Sequence, residues 1–185
     1  MTEMNFVQTP LPGIIIIEPD IFRDDRGFFL ETWHRQKFTD GGIDTKFVQD
    51  NHSRSAKNTL RGLHYQVQHA QGKLIRVVEG LIFDVVVDLR KTSSTFGKWY
   101  GHTLSSEYMN MLWCPPGFAH GFLVISDNAD VCYKCTDYYA PNYERTLHWD
   151  DKDVGIEWPL DEGEEPILSD KDKVGKLLSE ADIFP

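Results

Sequence analysis

Short segments rich in β-branched and aromatic residues, separated by turn-forming residues, constrain the fold more than any other feature. Such segments predict strands, and they occupy residues 13–18, 27–33, 74–79, 81–89, 98–104, 121–125 and 131–136. Turn formers between them include the runs 24–27 (DDRG) and 115–117 (PPG). The pattern indicates a mainly β chain, built as a sandwich or closed barrel of antiparallel strands.

Helix-forming segments are few and short. The sequence predicts one helix over residues 33–40 and another over 171–180, where Ser169 and Asp170 offer N-capping side chains. With no internal repeat or linker, we expect a single domain over residues 1–185. The acidic, proline-bearing run 159–166 predicts a surface loop that leads into a C-terminal tail, which begins near residue 160.

Charge and hydropathy exclude several classes of protein. The 19 Lys and Arg residues against 29 Asp and Glu give a net charge of −10, which disfavours binding to nucleic acid or to an anionic membrane surface. The apolar runs are far shorter than the ~20 residues that span a bilayer. Because the N-terminus lacks the pattern of a secretory signal, we expect a cytoplasmic protein.

The three cysteines do not form a disulfide framework, because their number is odd and the chain is long. Cys132 and Cys135 form a C-x-x-C motif, but the motif lies in a predicted strand. Residues i and i+3 of a strand face opposite sides. We therefore expect neither a metal site nor a redox pair at this motif.

Residue types suited to catalysis are concentrated at 49–53 (QDNHS), 60–66 (LRGLHYQ) and 71–76 (QGKLIR). Arg61 can bind a phosphate through two hydrogen bonds, Lys73 can supply a positive charge, and His64 can exchange protons near neutral pH. A histidine between apolar neighbours could also be a core residue. Together the three side chains indicate an anionic substrate and proton transfer.

A second cluster, 113–122 (WCPPGFAHGF), contains His120 just after a rigid Pro-Pro-Gly turn. We expect this histidine in a loop, at the mouth of a strand that begins near Gly121. The alternative is that His120 only caps the turn.

Five blocks of sequence resemble the dTDP-4-dehydrorhamnose 3,5-epimerase family and follow one another in the family's order: 23–29 (RDDRGFF), 47–53 (FVQDNHS), 60–66 (LRGLHYQ), 116–122 (PGFAHGF) and 155–159 (GIEWP). The resemblance extends from about residue 13 to residue 172. It implies a cupin-like jelly roll (a double-stranded β-helix), a homodimer, and an isomerase that needs no cofactor or metal. The implied reaction is epimerisation at C3 and C5 of dTDP-4-dehydro-6-deoxy-D-glucose, in dTDP-L-rhamnose biosynthesis.

The resemblance also implies the residues of the site. His64 is the expected base, Tyr133 the proton donor, Asp172 the carboxylate that orients the base, and Lys73 the cation that stabilises the enolate. The expected substrate-binding residues, with Tyr139 stacked on thymine, are Arg26, Glu31, Gln49, Asn51, Arg61, His120, Tyr139, Glu144 and Lys171. Asp170 occupies a variable position of the block 168–172 (LSDKD), where we expect a helix cap.

Strand geometry sets one condition on this site. Regular alternation places His64 and Arg61 on opposite faces of their strand. Gly62 lies between them, and glycine inside a strand often marks a bulge that re-aims its neighbours. We therefore expect either a bulge at Gly62 or a strand that begins after Arg61.

Three alternatives remain open on the sequence. A metal-dependent cupin enzyme could use His52, His64, His69 and His120, although Gln66 stands where an H-x-H pair would need its second histidine. A non-enzymatic module that binds nucleotide sugars would have no need of a matched acid and base. An epimerase that inverts only C3 or only C5, in another deoxysugar pathway, fits the same motifs.

Overall fold

The computed structural model of the chain describes residues 4–185. Strands dominate this part of the chain. In chain order they are β1 (Asn5–Gln8), β2 (Ile15–Glu18), β3 (Ile21–Asp24), β4 (Gly27–Leu30), β5 (Gln49–Ala56), β6 (Leu60–Gln66), β7 (Lys73–Glu79), β8 (Leu81–Asp88), β9 (Trp99–Ser105), β10 (Met111–Cys114), β11 (Phe118–Val124), β12 (Asn128–Cys135) and β13 (Glu144–Thr146). The helices are α1 (Arg35–Asp40) and α2 (Asp170–Lys173), with short 3-10 helices at Pro141–Tyr143 and Leu178–Glu180.

Within residues 4–185 the strands form two antiparallel sheets and a separate hairpin. One sheet has the order β1-β2-β10-β7-β12-β5 and the other β13-β6-β11-β8-β9. The main core contains apolar side chains from both sheets, including Ile16, Ile75 and Val131 from the first and Val86 and Phe118 from the second. Two sheets enclosing such a core make the predicted mainly β jelly roll, which is confirmed.

The predicted strands are all present, with shifted ends. Strand β11 begins at Phe118 and not near Gly121. His120 therefore lies inside a fully buried strand, and the expectation that it occupies a loop is wrong. The turn at Gly117, where φ is +101°, ends directly before the strand.

The predicted helix over residues 171–180 is also wrong in extent. Ser169 caps α2 as expected, through its side chain and the Asp172 backbone N–H, but the helix ends after Lys173. Beyond it the tail has no α-helix, only the 3-10 turn at Leu178–Glu180. Lys176 N donates to Thr146 O at 2.9 Å, and Leu178 N donates to the buried Asp151 carboxylate at 2.5 Å. These tertiary hydrogen bonds outweigh local helix propensity.

The tail covers the outer face of the five-stranded sheet. It makes parallel bridges at Ile167 with Thr59, at Lys176 with Leu147 and at Phe184 with Arg90. Apolar side chains of the tail and the preceding loop, including Trp158, Leu178 and Phe184, pack on a second core cluster. The tail thereby brings α2 into contact with β6.

The hairpin β3–β4 pairs with neither sheet within residues 4–185. It carries three exposed aromatic side chains, Phe22, Phe28 and Phe29, which are 61%, 57% and 69% exposed. None of the described helices is long and apolar enough to cross a membrane.

Candidate active site

A cavity of about 360 Å³ opens between the two sheets. The five-stranded sheet contributes Arg61 and His64 from β6, His120 from β11 and Glu144 from β13, while the six-stranded sheet contributes Gln49, Asn51, Lys73 and Tyr133. Tyr139 and Lys171 lie at its rim. Ten of the thirteen predicted site residues therefore line one cavity.

A β-bulge in β6 places Arg61 and His64 in the same cavity. His120 pairs with His64 and Phe122 pairs with Arg61, so Gly62 and Leu63 together oppose Gly121 alone. The extra residue shifts the alternation by one, which is what brings residues i and i+3 to one face. Gly62 has φ +116°. Of the two expected arrangements, a bulge at Gly62 or a strand that begins after Arg61, the structure has the bulge.

His64 is bonded to the carboxylate of Asp172. The distance between His64 Nε2 and Asp172 Oδ1 is 2.5 Å, and Ser169 Oγ donates to Asp172 Oδ2 at 2.7 Å. Burial would raise the pKa of Asp172, but the hydrogen bonds from His64 and Ser169 outweigh it and the pKa is lowered. Asp172 is therefore an ionised partner that fixes the orientation of His64, while Nδ1 of His64 has no hydrogen-bond partner among the described residues.

Tyr133 faces His64 from the opposite sheet. It lies on β12, between Asn51 of β5 and Ile75 of β7. Burial raises the pKa of Tyr133 above its ordinary value of 10.0. The hydroxyl is therefore protonated at neutral pH and can donate a proton.

Lys73 is a buried cation at the same wall. Lys73 is 8% exposed, and no carboxylate of the described residues lies within ion-pairing distance of its Nζ. Nearby Cys135 is also buried, which raises the pKa of its thiol and keeps it neutral. An unpaired buried ammonium group is suited to an anion or a developing oxyanion.

Three predicted binding residues form a hydrogen-bonded group at the rim. Lys171 Nζ donates to Glu144 Oε1 at 2.8 Å and Tyr139 Oη donates to Glu144 Oε2 at 2.9 Å. Burial would raise the pKa of Glu144, yet the bonds from Lys171 and Tyr139 lower it. The ionised Glu144 thus connects the tail to the segment that carries Tyr139.

Arg26 and Glu31 lie outside this cavity. Arg26 is at the turn of the β3–β4 hairpin, with its side chain 90% exposed and paired to Asp24 at 2.5 Å. Glu31 follows β4 and pairs with Lys37 of α1 at 2.9 Å. Neither residue contacts the cavity of its own chain.

Sequence reasoning missed two groups that the structure places at the cavity. Ser53 lines it, and its buried Oγ has no hydrogen-bond partner among residues 4–185. Asp84 lies behind the wall, where its Oδ2 bonds His120 Nε2 at 2.8 Å. The alternation of polar residues in β5 could have indicated Ser53, whereas Asp84 stands in an apolar strand without a motif.

The four histidines of the metal-centre alternative do not converge. Each pairs with a different aspartate: His52 with Asp130, His64 with Asp172, His69 with Asp137 and His120 with Asp84. In the part of the chain that the structure describes, no group of three or more His, Cys, Asp or Glu side chains could hold a metal ion. Cys132 and Cys135 lie on β12 as free cysteines, and Cys135 is buried.

Known proteins are similar to this chain in both sequence and fold. The sequence profile of the family described as dTDP-4-dehydrorhamnose 3,5-epimerase matches residues 8–180. The enzyme of that name from Pseudomonas aeruginosa is 50% identical over 183 residues, covering 98% of this chain and all of the relative.

Solved structures agree with this match. The dTDP-6-deoxy-D-glucose-3,5-epimerase from Legionella pneumophila, in complex with dTDP-4-keto-L-rhamnose, has a TM-score of 0.93 and 50% identity, covering 97% of this chain and 95% of its own. A 3'-monoepimerase from Streptomyces bikiniensis, in complex with dTDP-quinovose, has a TM-score of 0.85 and 35% identity, covering 93% and 88%. The chain belongs to the dTDP-4-dehydrorhamnose 3,5-epimerase family.

Proposed function

We propose that this chain is an isomerase that epimerises dTDP-4-dehydro-6-deoxy-D-glucose at C3 and C5, giving dTDP-4-dehydro-L-rhamnose for dTDP-L-rhamnose biosynthesis. The observation that carries the proposal is the pair of proton-transfer groups on opposite walls of one cavity. His64, bonded to Asp172, projects from the five-stranded sheet, and Tyr133 projects from the six-stranded sheet.

The substrate's C4 ketone makes the C–H bonds at C3 and C5 acidic enough for a positioned base. In the proposed mechanism, His64 removes a proton from one face of the sugar ring, which leaves an enolate. Tyr133 then gives a proton to the other face. Because acid and base stand on facing sheets, the centre is inverted and not merely exchanged with solvent.

Asp172 and Lys73 support the two charges that develop. The Asp172 carboxylate accepts the Nε2 hydrogen bond of His64, so the positive charge on the imidazole is stabilised when Nδ1 takes the proton. The buried ammonium group of Lys73 provides electrostatic stabilisation of the enolate oxygen. Such preorganised groups commonly contribute on the order of a few kcal/mol to the barrier.

The remaining cavity residues bind the nucleotide sugar in this proposal. Arg61 and Lys171 counter the diphosphate, and Tyr139 at the rim stacks on thymine. The polar side chains Gln49, Asn51, His120 and Glu144 orient the sugar. Since Lys171 and Asp172 belong to the C-terminal tail, the tail from about residue 160 is part of the proposed site.

Deuterium labelling tests the proposal. The wild-type protein is incubated with dTDP-4-dehydro-6-deoxy-D-glucose in deuterated water, and NMR locates the label. Deuterium at C3 and C5, with inverted product, is the expected result. Binding of the nucleotide sugar without any incorporation would leave only a non-enzymatic binding module.

Inversion of a single centre is the second candidate, because a 3'-monoepimerase shares the fold at a TM-score of 0.85. A jelly roll with these two walls therefore suits either one or two inversions. Label at C3 alone or C5 alone in the same experiment would replace the double epimerase with this narrower enzyme.

The active form is proposed to be a homodimer in which the β3–β4 hairpin of one chain reaches the cavity of the other. Three exposed aromatic side chains in one hairpin favour a macromolecular contact over exposure to water. The hairpin also carries Arg26, which lies outside the cavity of its own chain. Exchange of hairpins between two copies would supply Arg26 to each diphosphate site.

Solution scattering gives the oligomeric state, and a mixing experiment tests the shared site. In this picture His64→Ala is inactive and Arg26→Ala mainly binds the substrate more weakly. At a substrate concentration too low for Arg26→Ala to turn over, a 1:1 mixture that exchanges subunits regains about a quarter of wild-type activity, since each mixed dimer contains one intact site. A fully active monomer, or no recovery in a mixture shown to exchange, would contradict it.

A further inference from the structure

Strand β8 carries two fully buried aspartates in contrasting environments. Asp84 and Asp88 are both 0% exposed and stand four residues apart, so they lie on the same side of the strand. Asp88 accepts hydrogen bonds from Arg90, Ser93 and Thr95 through both oxygens. Asp84 accepts one, from His120, and its Oδ1 has no partner among the described residues.

A buried carboxylate with a single hydrogen bond lowers stability. The neighbouring inward positions of β8 are Ile82 and Val86, which belong to the main core. An apolar side chain at position 84 would suit that core better. A buried polar atom without a hydrogen-bond partner is rare and calls for an explanation, and the single partner of Asp84 lines the substrate cavity.

The Asp84 carboxylate fixes the orientation of His120. Because Nε2 of His120 is bonded to Asp84, the other ring nitrogen, Nδ1, is left without a hydrogen-bond partner in residues 4–185. His120 is also the direct cross-strand neighbour of His64. Two histidines therefore stand side by side, each bonded through Nε2 to a buried aspartate.

We propose that Asp84 is a positioning residue that holds His120 as a hydrogen-bond donor to the C4 oxygen of the substrate. This proposal rests on the proposed epimerase function. As the enolate forms, His120 shares the Nδ1 proton with the oxygen that gains negative charge. It retains that proton when the ketone re-forms, so no net proton is consumed. The negative charge of Asp84 offsets the positive charge of the protonated imidazole, and Lys73 acts on the same oxygen from the facing sheet.

Asp84→Asn tests the proposal, with Asp88→Asn as the matched control on the same buried strand. Wild-type epimerase activity is measured first, because its absence would overturn the proposed function whatever Asp84 does. In active protein, Asp84→Asn is expected to lower kcat about 10- to 100-fold, with KM within about 3-fold and undiminished stability. Asp88→Asn is expected to lower stability and leave kcat unchanged.

A double-mutant cycle tests whether Asp84 acts through His120. In a His120→Gln background, Asp84→Asn should lower kcat no further. A second measurement uses the wild-type protein and so does not depend on whether a variant folds. With 15N-labelled histidine, the Nε2–H of His120 should give a slowly exchanging NMR signal. The proposal would be overturned if Asp84→Asn kept the wild-type kcat, or if Asp84→Asn and Asp88→Asn lost kcat equally. It would also be overturned if the effects of Asp84→Asn and His120→Gln on kcat were additive, or if the Nε2–H of His120 exchanged rapidly.

Discussion

The glycine at the β6 bulge is the position where one added carbon should do most damage. A Cβ at Gly62 would lie 2.6 Å from Gly121 Cα and 2.7 Å from His120 O, and both are backbone atoms of the paired strand. Distances below 3.0 Å essentially never occur for a real Cβ. Relief would require β6 and β11 to move apart, which would weaken the pairing that aligns Arg61, His64 and His120.

The size of the effect follows from two contributions. An L-residue at positive φ costs about 1–2 kcal/mol, and overpacking of a rigid contact costs about 1–3 kcal/mol more. Gly62→Ala should therefore lower the free energy of unfolding by about 2–5 kcal/mol. A displacement of the catalytic groups by about 1 Å would also lower kcat on the order of 100-fold.

Gly163→Ala is the matched control for backbone strain. Gly163 has φ +83°, but a Cβ added there would meet no atom within 4 Å. Urea unfolding of both variants then isolates the cost of the close contact, and kcat is measured on the same preparations. If Gly62→Ala unfolds like Gly163→Ala and retains full activity, the bulge does not govern the alignment of the site.

Two further predictions concern the charged groups around the cavity. Asp88→Asn should lower the free energy of unfolding by about 2 kcal/mol at pH 7, because hydrogen bonds from Arg90, Ser93 and Thr95 outweigh burial and lower the pKa of Asp88 from 3.8 to about 2. The pKa of Asp88 is lower in the folded state than in the unfolded state. The difference in unfolding free energy between wild type and Asp88→Asn is therefore present above about pH 4 and disappears toward pH 2, as urea unfolding across a pH series will measure. Glu144→Gln should raise KM several-fold more than it lowers kcat, because Tyr139 and Lys171 lose their shared anionic partner; equal KM in Glu144→Gln and wild type would exclude that role.

The sequence predicted those parts of the fold and site that depend on local pattern. Segments rich in β-branched and aromatic residues identified seven of the thirteen described strands. Gly62 between Arg61 and His64 indicated either a bulge or a later start of the strand, and the structure has the bulge. The sequence did not predict the extent of α2. There the backbone donors of Lys176 and Leu178 bond distant parts of the chain, which no local propensity encodes.

Long-range pairing also explains why the sequence did not predict Asp84 as part of the site. It stands in an apolar segment with no neighbouring motif. What connects it to the site is its hydrogen bond with His120, which is 36 positions away in sequence. Asp172 is 108 positions from His64 and equally remote. It was predicted only because the family resemblance includes the block 168–172.

Isotope exchange by two variants tests the assignment of base and acid most directly. With the proposed substrate in deuterated water, His64→Ala should incorporate no deuterium at any carbon, because no enolate forms without the base. Tyr133→Phe should still exchange deuterium with retained configuration, while inverted product falls sharply, since His64 can return the proton only to the face it came from. Wild-type turnover by Tyr133→Phe, or label incorporated by His64→Ala, would contradict the account and direct the search for the acid and base to His120 and Lys73.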